Sequence, residues 1–399
     1  MVRNLLLILL SIAFWNSAPR GAMMETPVNI TTLDSDFPGG YQVAVANLSG
    51  DGKLDVLGLG NTVAWLANPT WKKYPVTGNQ TRANIDIAPY DIDGDGKLEI
   101  VVASDFALND SEKGGVLNWF HRSSDPEKPW APHLIDSYPT THRIRWADPE
   151  GAGRKLLVSA PLMGRGARAP EYDQAAAPLF LYRIPRRPSE DPWPRQIIDD
   201  TLHMTHGLKI LDFDGDGRDE ILTASFEGIH LYHASGQGVN LKWTRTRLCA
   251  GEQSTRPSRG SSEVCPGKLK SGRRFLAAIE PWHGDQVVVY LEPGRAGELW
   301  QRQSIDSSFN EGHALAVLDL DGDGADEIVA GFRGRKRGVA VYRAQDSSGT
   351  SWERSILDDG GIACQGFFLA DLRGTGRPAI VGIGGATHNV KLYEFPSVK

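Results

Sequence analysis

The stretch Asp212-Phe213-Asp214-Gly215-Asp216-Gly217, closed by Glu220, returns in weakened copies from one end of the chain to the other. No other feature limits the possible folds so strongly. Carboxylates at its first, third, fifth and ninth positions, with glycines that let the backbone turn tightly, bring several hard oxygen ligands into one small volume. That is the pattern of a loop for Ca²⁺ or Mg²⁺. Two more copies are complete: Asp91, Asp93, Asp95 with Glu99, and Asp319, Asp321, Asp323 with Glu327. A fourth is partial, with Asn47, Ser49, Asp51 and Asp55, and the frame alone persists at Asp148-Pro149-Glu150-Gly151, Gly267-Lys268-Leu269-Lys270 and Asp371-Leu372-Arg373-Gly374. An EF-hand loop is longer and lies between helices. Here the flanks, Leu208 to Leu211 and Ile221 to Ala224, are short apolar runs that read as strands.

Each unit follows one plan: an inner strand, the loop, a second strand, a third with an aromatic residue, and a fourth beginning at a tryptophan. The third-strand aromatics are Trp65, Trp119, Tyr182, Tyr232, Tyr290, Tyr342 and Tyr393, and the fourth-strand tryptophans are Trp71, Trp130, Trp193, Trp243, Trp300 and Trp352. The fourth strand missing from this count is at the front of the chain, where Val28 to Asp34 matches Ser355-Ile356-Leu357-Asp358. Four strands repeated roughly every 50 residues describe an all-β protein, a seven-bladed β-propeller closed by its N-terminal strand and spanning 25–399. Closure of that kind removes the free sheet edges that otherwise invite aggregation. The longest departures from the repeat, Phe106 to Gly115 and Met163 to Pro178, fall between second and third strands and so are loops at one end of the ring.

Composition narrows the partners. A net charge of −6 and no basic run argue against nucleic acid and against a membrane-surface patch. Arg3 followed by the apolar segment Leu5 to Trp15 reads as a signal peptide over 1–22, too short to span a bilayer, so the expectation is a secreted or periplasmic protein. An oxidising compartment permits one bridge among three cysteines, and Cys249 with Cys265, which flank the same loop-rich stretch, is the pair expected.

The repeat register also locates candidate chemistry, because equivalent positions in successive blades must lie at equal height around one axis. Six residues before the first loop position stand Tyr41, Ile85, His142, His206, Ser261, His313 and Gln365. Three neutral imidazoles at one height, His142, His206 and His313, suit Zn²⁺ or another divalent transition metal with a position left open for substrate. The second-strand exits share that mouth and contribute Asp105, Glu227, His283, Arg333 and His388; the inner-strand starts add Asp86, Arg143 and Glu263. Among these His283 and Glu227 are candidates for proton transfer, with His388 beside them, and Arg333 and Arg143 for clamping substrate. Asp86, Asp105, Glu263, Trp282 and Gln365 are candidates for substrate contact, and His203 for orienting a ligand. A Lewis acid beside a proton-transfer group fits elimination from a sugar carrying a keto or uronate group.

The loops Asp91 to Glu99, Asp212 to Glu220 and Asp319 to Glu327 resemble the FG-GAP or VCBS-type repeats of integrin-like propellers. That resemblance covers nearly the whole chain and is specific for fold rather than function. The mouth segments Thr141-His142-Arg143, Phe226-Glu227-Gly228, Pro281-Trp282-His283-Gly284, Gly312-His313-Ala314 and Gly385-Ala386-Thr387-His388-Asn389 resemble the propeller part of the aldos-2-ulose (1,5-anhydro-D-fructose) dehydratase family. What this resemblance implies is metal-assisted dehydration of a 2-keto sugar. It concerns only the propeller, so a second, isomerising activity attributed to the cupin and lectin-like domains of that family's larger member is not expected. Two other readings remain open at this point: a carbohydrate- or protein-binding propeller without chemistry, and a polysaccharide lyase or glycan hydrolase whose long mouth loops supply subsites.

Overall fold

The computed structural model describes residues 28–308 and 310–395. The expected signal segment lies outside them. Short strands, largely buried on both faces in the inner layers and partly exposed at the outer edge, form seven four-stranded antiparallel sheets, six of them built from consecutive strands. The inner strands are Gln42–Ala46, Asp86–Tyr90, Thr141–Ala147, Gly207–Leu211, Glu263–Lys268, Gly312–Leu318 and Cys364–Ala370. Each contacts the next, and the last contacts the first, so the sheets form a closed ring. In the seventh sheet the outermost strand is Asn29–Asp34, paired antiparallel with Asn389–Glu394 from the other end of the described chain.

Apolar clusters between neighbouring blades hold the ring. Phe275, Val287 and Val289 of the fifth blade, for example, pack with Ile328, Ala330 and Tyr342 of the sixth, all fully or nearly fully buried. Burial at about 25 cal/mol per Å² of apolar surface makes these seams the main source of stability. Polar stitches cross the same seams. The Tyr182 hydroxyl donates to Asp136 of the preceding blade at 2.9 Å, Tyr232 to Asp199 at 3.0 Å, Tyr342 to Asp306 at 2.6 Å and Tyr393 to Asp358 at 2.9 Å. These acids are the aspartates of the fourth-strand Ile-Asp pattern or its Leu-Asp equivalent, and the bonds account for buried phenols that would otherwise be costly.

Two details differ from the sequence reading. Tyr232 and Tyr342 face Ile221 and Ile328, the residues just after the loop-closing glutamates, but in the first two blades Leu66 and Phe120 take that place. Trp65 and Trp119 sit one residue earlier and hence on the opposite sheet face. The expected bridge is also absent, since Cys249, Cys265 and Cys364 are all buried free thiols. Cys249 ends the outer strand of one blade, whereas Cys265 lies on the inner strand of the next and donates to the Leu315 carbonyl at 3.3 Å.

In the loops, Gly215 and Gly217 adopt φ of 81° and 86°, a left-handed conformation that suits glycine. Their amides donate to the two Asp212 carboxylate oxygens at 2.7 and 3.0 Å, and the Phe213 amide donates to Glu220 at 2.8 Å. Burial and the neighbouring aspartates push the Glu99 and Glu327 carboxyls up to about 7.

Candidate active site at the mouth of the ring

The inner strands deliver their first side chains to the axis. His206 and His313 come from the same register position in blades two apart, and His283 arrives on the hairpin after the second strand of the fifth blade. Among the described residues, ligand atoms of His206, His283 and His313 all lie within 4.8 Å of one another. His142 completes the group, its ring centroid 4.7 Å from that of His206. Three of these four, His142, His206 and His313, are essentially buried.

Hydrogen bonding fixes the tautomers. His206 Nδ1 lies 2.9 Å from the Ser262 carbonyl and 3.1 Å from Glu263 Oε1, and His313 Nδ1 lies 2.6 Å from the Gln365 carbonyl. Both therefore carry hydrogen on Nδ1 and turn the lone pair of Nε2 to the hub. His283 is arranged the other way. Its Nδ1 lies 3.4 Å from an Arg333 N–H, so its own hydrogen sits on Nε2, 3.0 Å from His206 Nε2.

Charge follows from burial. Desolvation, followed by the cation of Arg143, holds His142 well below its ordinary value; desolvation followed by His206 does the same for His283, and desolvation followed by Arg333 for His313. His206 is also lowered, by burial and then Arg143, although Glu263 and the Ser262 carbonyl oppose the shift. All four imidazoles are thus neutral near pH 7, the form in which imidazole binds a metal. Neutral rings, carbonyl-anchored Nδ1 atoms and a carboxylate behind His206 form a donor set that fits a divalent transition ion.

The other expected site residues divide into three groups. Arg333 and Gln365 do reach the hub: Arg333 donates to Gln365 Oε1 at 2.7 Å as well as facing His283. Trp282 stacks on His283 with centroids 4.5 Å apart, but it is half-buried, packed against Tyr172 and Phe226 within a small core that also takes in residues of both long mouth loops. Arg143 is buried, with its guanidinium 3.3 Å from Glu263 and 5.5 Å from the Tyr41 ring centroid.

A second group is committed elsewhere. Asp86 is fully buried and accepts from the Ile144 amide at 2.8 Å and from Arg145 at 2.5 Å, so it joins two blades rather than meeting a ligand. Glu263 serves His206 and Arg143; despite its burial, those two hold its carboxyl below the ordinary value. Glu227 accepts from the His203 ring at 2.9 Å, from the His203 amide at 2.9 Å and from Ser225 at 3.1 Å, and these bonds commit its carboxylate. His203 accordingly orients Glu227 and not a hub imidazole.

The third group lies at the rim. Asp105 pairs with Arg82 at 2.8 Å, and His388 is exposed on the last hairpin with φ of 52°. The residue that sequence reasoning passed over is Tyr41. Its hydroxyl lies 3.3 Å from His142 Nε2 and 3.2 Å from His313 Nε2. Its place in the same register as the histidines was the signal.

Comparison with known proteins bears on this arrangement. The family model for the aldos-2-ulose dehydratase β-propeller domain matches residues 114–293, which contain His142, His206 and His283. The chain resembles the propeller domain of aldos-2-ulose dehydratase. An FG-GAP-like repeat model matches residues 47–102. The aldos-2-ulose dehydratase of Phanerodontia chrysosporium is 22% identical over 382 residues, covering 83% of this chain and 41% of that protein. The chain thus spans less than half the length of this curated relative. Among solved structures, BBS1N in complex with ARL6DN superposes with a TM-score of 0.53 at 12% identity in a mercury-soaked crystal, covering 96% of this chain and 99% of that one. A lead-soaked crystal of the same complex gives 0.52 at 10% identity, with the same coverage. At such identity the likeness concerns the fold alone.

Proposed function

We propose that the mouth of this ring is the active site of a metal-dependent carbohydrate lyase of the dehydratase type. Its substrate would be a keto sugar of the aldos-2-ulose or anhydrofructose kind, from which water is lost by β-elimination. The observation that carries this reading is the convergence of neutral imidazoles from three blades, two of them with Nε2 lone pairs freed by Nδ1 bonds to backbone carbonyls. The resemblance to a dehydratase propeller supports the choice of chemistry.

His206 and His313 would hold the ion, with His142 and His283 beside them. A divalent transition ion there, zinc being the natural choice for this donor set, supplies Lewis acidity toward a carbonyl or its enolate. Elimination also requires a group to take the proton α to that carbonyl. His283 suits the complementary step, giving a proton to the departing hydroxyl, because Arg333 on its Nδ1 sets the ring orientation and keeps the hydrogen-bearing Nε2 toward the hub. Arg333, with Gln365, is placed to bind substrate oxygens. The small core around Met163, Tyr172, Phe226 and Trp282 walls one side of the mouth against water.

The DxDGDG loops, on the opposite end of the ring, would take Ca²⁺ or Mg²⁺ in a structural role. The raised carboxyls of Glu99 and Glu327 report crowded negative charge that a cation would relieve. Export is supported by the apolar run behind Arg3.

Metal analysis of the purified protein and of the His206→Ala, His313→Ala double variant tests the reading, together with incubation with keto sugars while ultraviolet absorbance of an enone product is followed. Stoichiometric transition metal in the wild type, lost in the double variant along with enone formation, is the expected result. Absence of any transition metal beyond the loop cations would sink it.

A further inference from the structure

We propose that Tyr41 is an oxygen ligand of the hub metal, completing a centre of imidazoles and one phenolate. The inference rests on the reading that the hub holds a transition ion. It adds a residue that neither the histidine count nor the resemblance points to.

Tyr41 stands in the first blade where the third, fourth and sixth blades have His142, His206 and His313. The ring closes, so a side chain at this register reaches the axis at the height of the imidazoles. Its amide donates to the Leu59 carbonyl at 2.8 Å, which ties the start of its strand to the second strand of the same blade. The hydroxyl then lies 3.3 Å from His142 Nε2 and 3.2 Å from His313 Nε2, touching ring nitrogens from two other blades. In a tetrahedral centre with metal bonds of about 2.0–2.1 Å, neighbouring donor atoms are about 3.3–3.4 Å apart. The phenol oxygen is therefore spaced from these nitrogens as ligands of one ion are.

Two features around Tyr41 serve a phenolate. The guanidinium of Arg143 lies 5.5 Å from the centroid of the Tyr41 ring and is buried. Its Nη1 has no hydrogen-bond partner, which leaves cationic charge only partly matched by Glu263. Bond formation would replace the phenol O–H by an O–metal bond and release the proton to solvent, with no change in oxidation state. The Arg143 cation would then balance the phenolate.

The experiment loads the full-length protein with Cu²⁺ or Fe³⁺ and records its visible spectrum. Phenolate ligation gives a charge-transfer band that imidazoles alone do not. The expected result is such a band in the wild type and its loss in Tyr41→Phe, which keeps its bound metal at roughly 10–100-fold lower affinity. Metal bound at the hub without the band, or a band that survives Tyr41→Phe, overturns the inference and leaves the proposed metal site standing. A wild type that binds no transition ion overturns both. Should Tyr41→Phe not fold, resonance Raman of the loaded wild type decides: enhanced tyrosinate ring modes support the assignment, and their absence refutes it.

Discussion

His206 Nε2 and His283 Nε2 lie 3.0 Å apart, one from the start of an inner strand and the other from a hairpin of the next blade. The carbonyl behind His206 and the guanidinium behind His283 assign them opposite tautomers, so an N–H of one points at the lone pair of the other. The two rings thus have different parts. His206→Ala is expected to lower metal affinity at least 10-fold, and metal content after dialysis checks it. His283→Ala is expected to keep the metal and lose turnover by roughly 10²–10⁴-fold, the usual contribution of a positioned proton-transfer group. Unchanged turnover in metal-loaded His283→Ala would remove that role.

Arg333 sets the orientation of His283 and touches Gln365, and in the proposed function it also binds substrate. Arg333→Lys keeps the charge but loses the planar fork. We expect it to raise KM and lower kcat together, with the thermal midpoint unchanged. Steady-state kinetics on whichever keto sugar is turned over would show this.

Asp86 ties two blades through the Ile144 amide and Arg145 and has no exposure to spare for a ligand. Removing one partner of a fully buried charged pair costs about 3–5 kcal/mol, an upper bound here because the Arg145 side chain is 32% exposed. Asp86→Ala should therefore lower stability in denaturant unfolding by up to that order, while Asp105→Ala, at the exposed rim, should change it by less than about 1 kcal/mol. Equal effects would contradict the assignment.

The loop carboxyls give a pH test. Glu99 and Glu327, at about 7 when folded, bind protons more tightly in the folded than in the unfolded chain, where glutamate titrates near 4.3. The cation-free protein is thus most stabilised by them below the unfolded value, and loses that stability as pH rises through about 7. A bound cation cancels the loss. Ca²⁺ should raise Tm by several degrees at about pH 8 and far less at about pH 5, and a chelator should reverse the gain. A Ca²⁺ effect independent of pH would argue against it.

His230 provides the opposite sign. Burial first, and then Arg245 and Arg247, push its imidazole down to about 4. The folded ring stays neutral where the unfolded one, near 6.5, already binds a proton. Its contribution is complete above about 6.5 and is lost as pH falls toward about 4, up to about 3 kcal/mol in all. In His230→Leu that part of the acid destabilisation should vanish, as pH-dependent denaturant midpoints would record.

The sequence alone carried the architecture, because a propeller is a local rule applied repeatedly. Each loop with its two flanking strands is one short hairpin unit, and its apolar runs and turn glycines are readable without knowing anything distant. Register extended that legibility to the hub, where His142, His206 and His313 do meet. It failed for residues whose partners come from elsewhere in the chain. Asp86, Glu227 and Glu263 were legible as acids near the mouth, but whether an acid faces substrate or a neighbour's amide depends on which side chains the next blade brings against it.

Tyr41, the opposed tautomers of His206 and His283 and the free state of Cys249 and Cys265 were likewise settled only by folding. They depend on distances between atoms that are far apart in sequence, and a linear pattern gives height along the axis but not what each group touches. The chain fixes the ring by nearest-neighbour pairing, whereas contacts across its centre decide which of the residues gathered there can bind an ion, move a proton or simply hold two blades together.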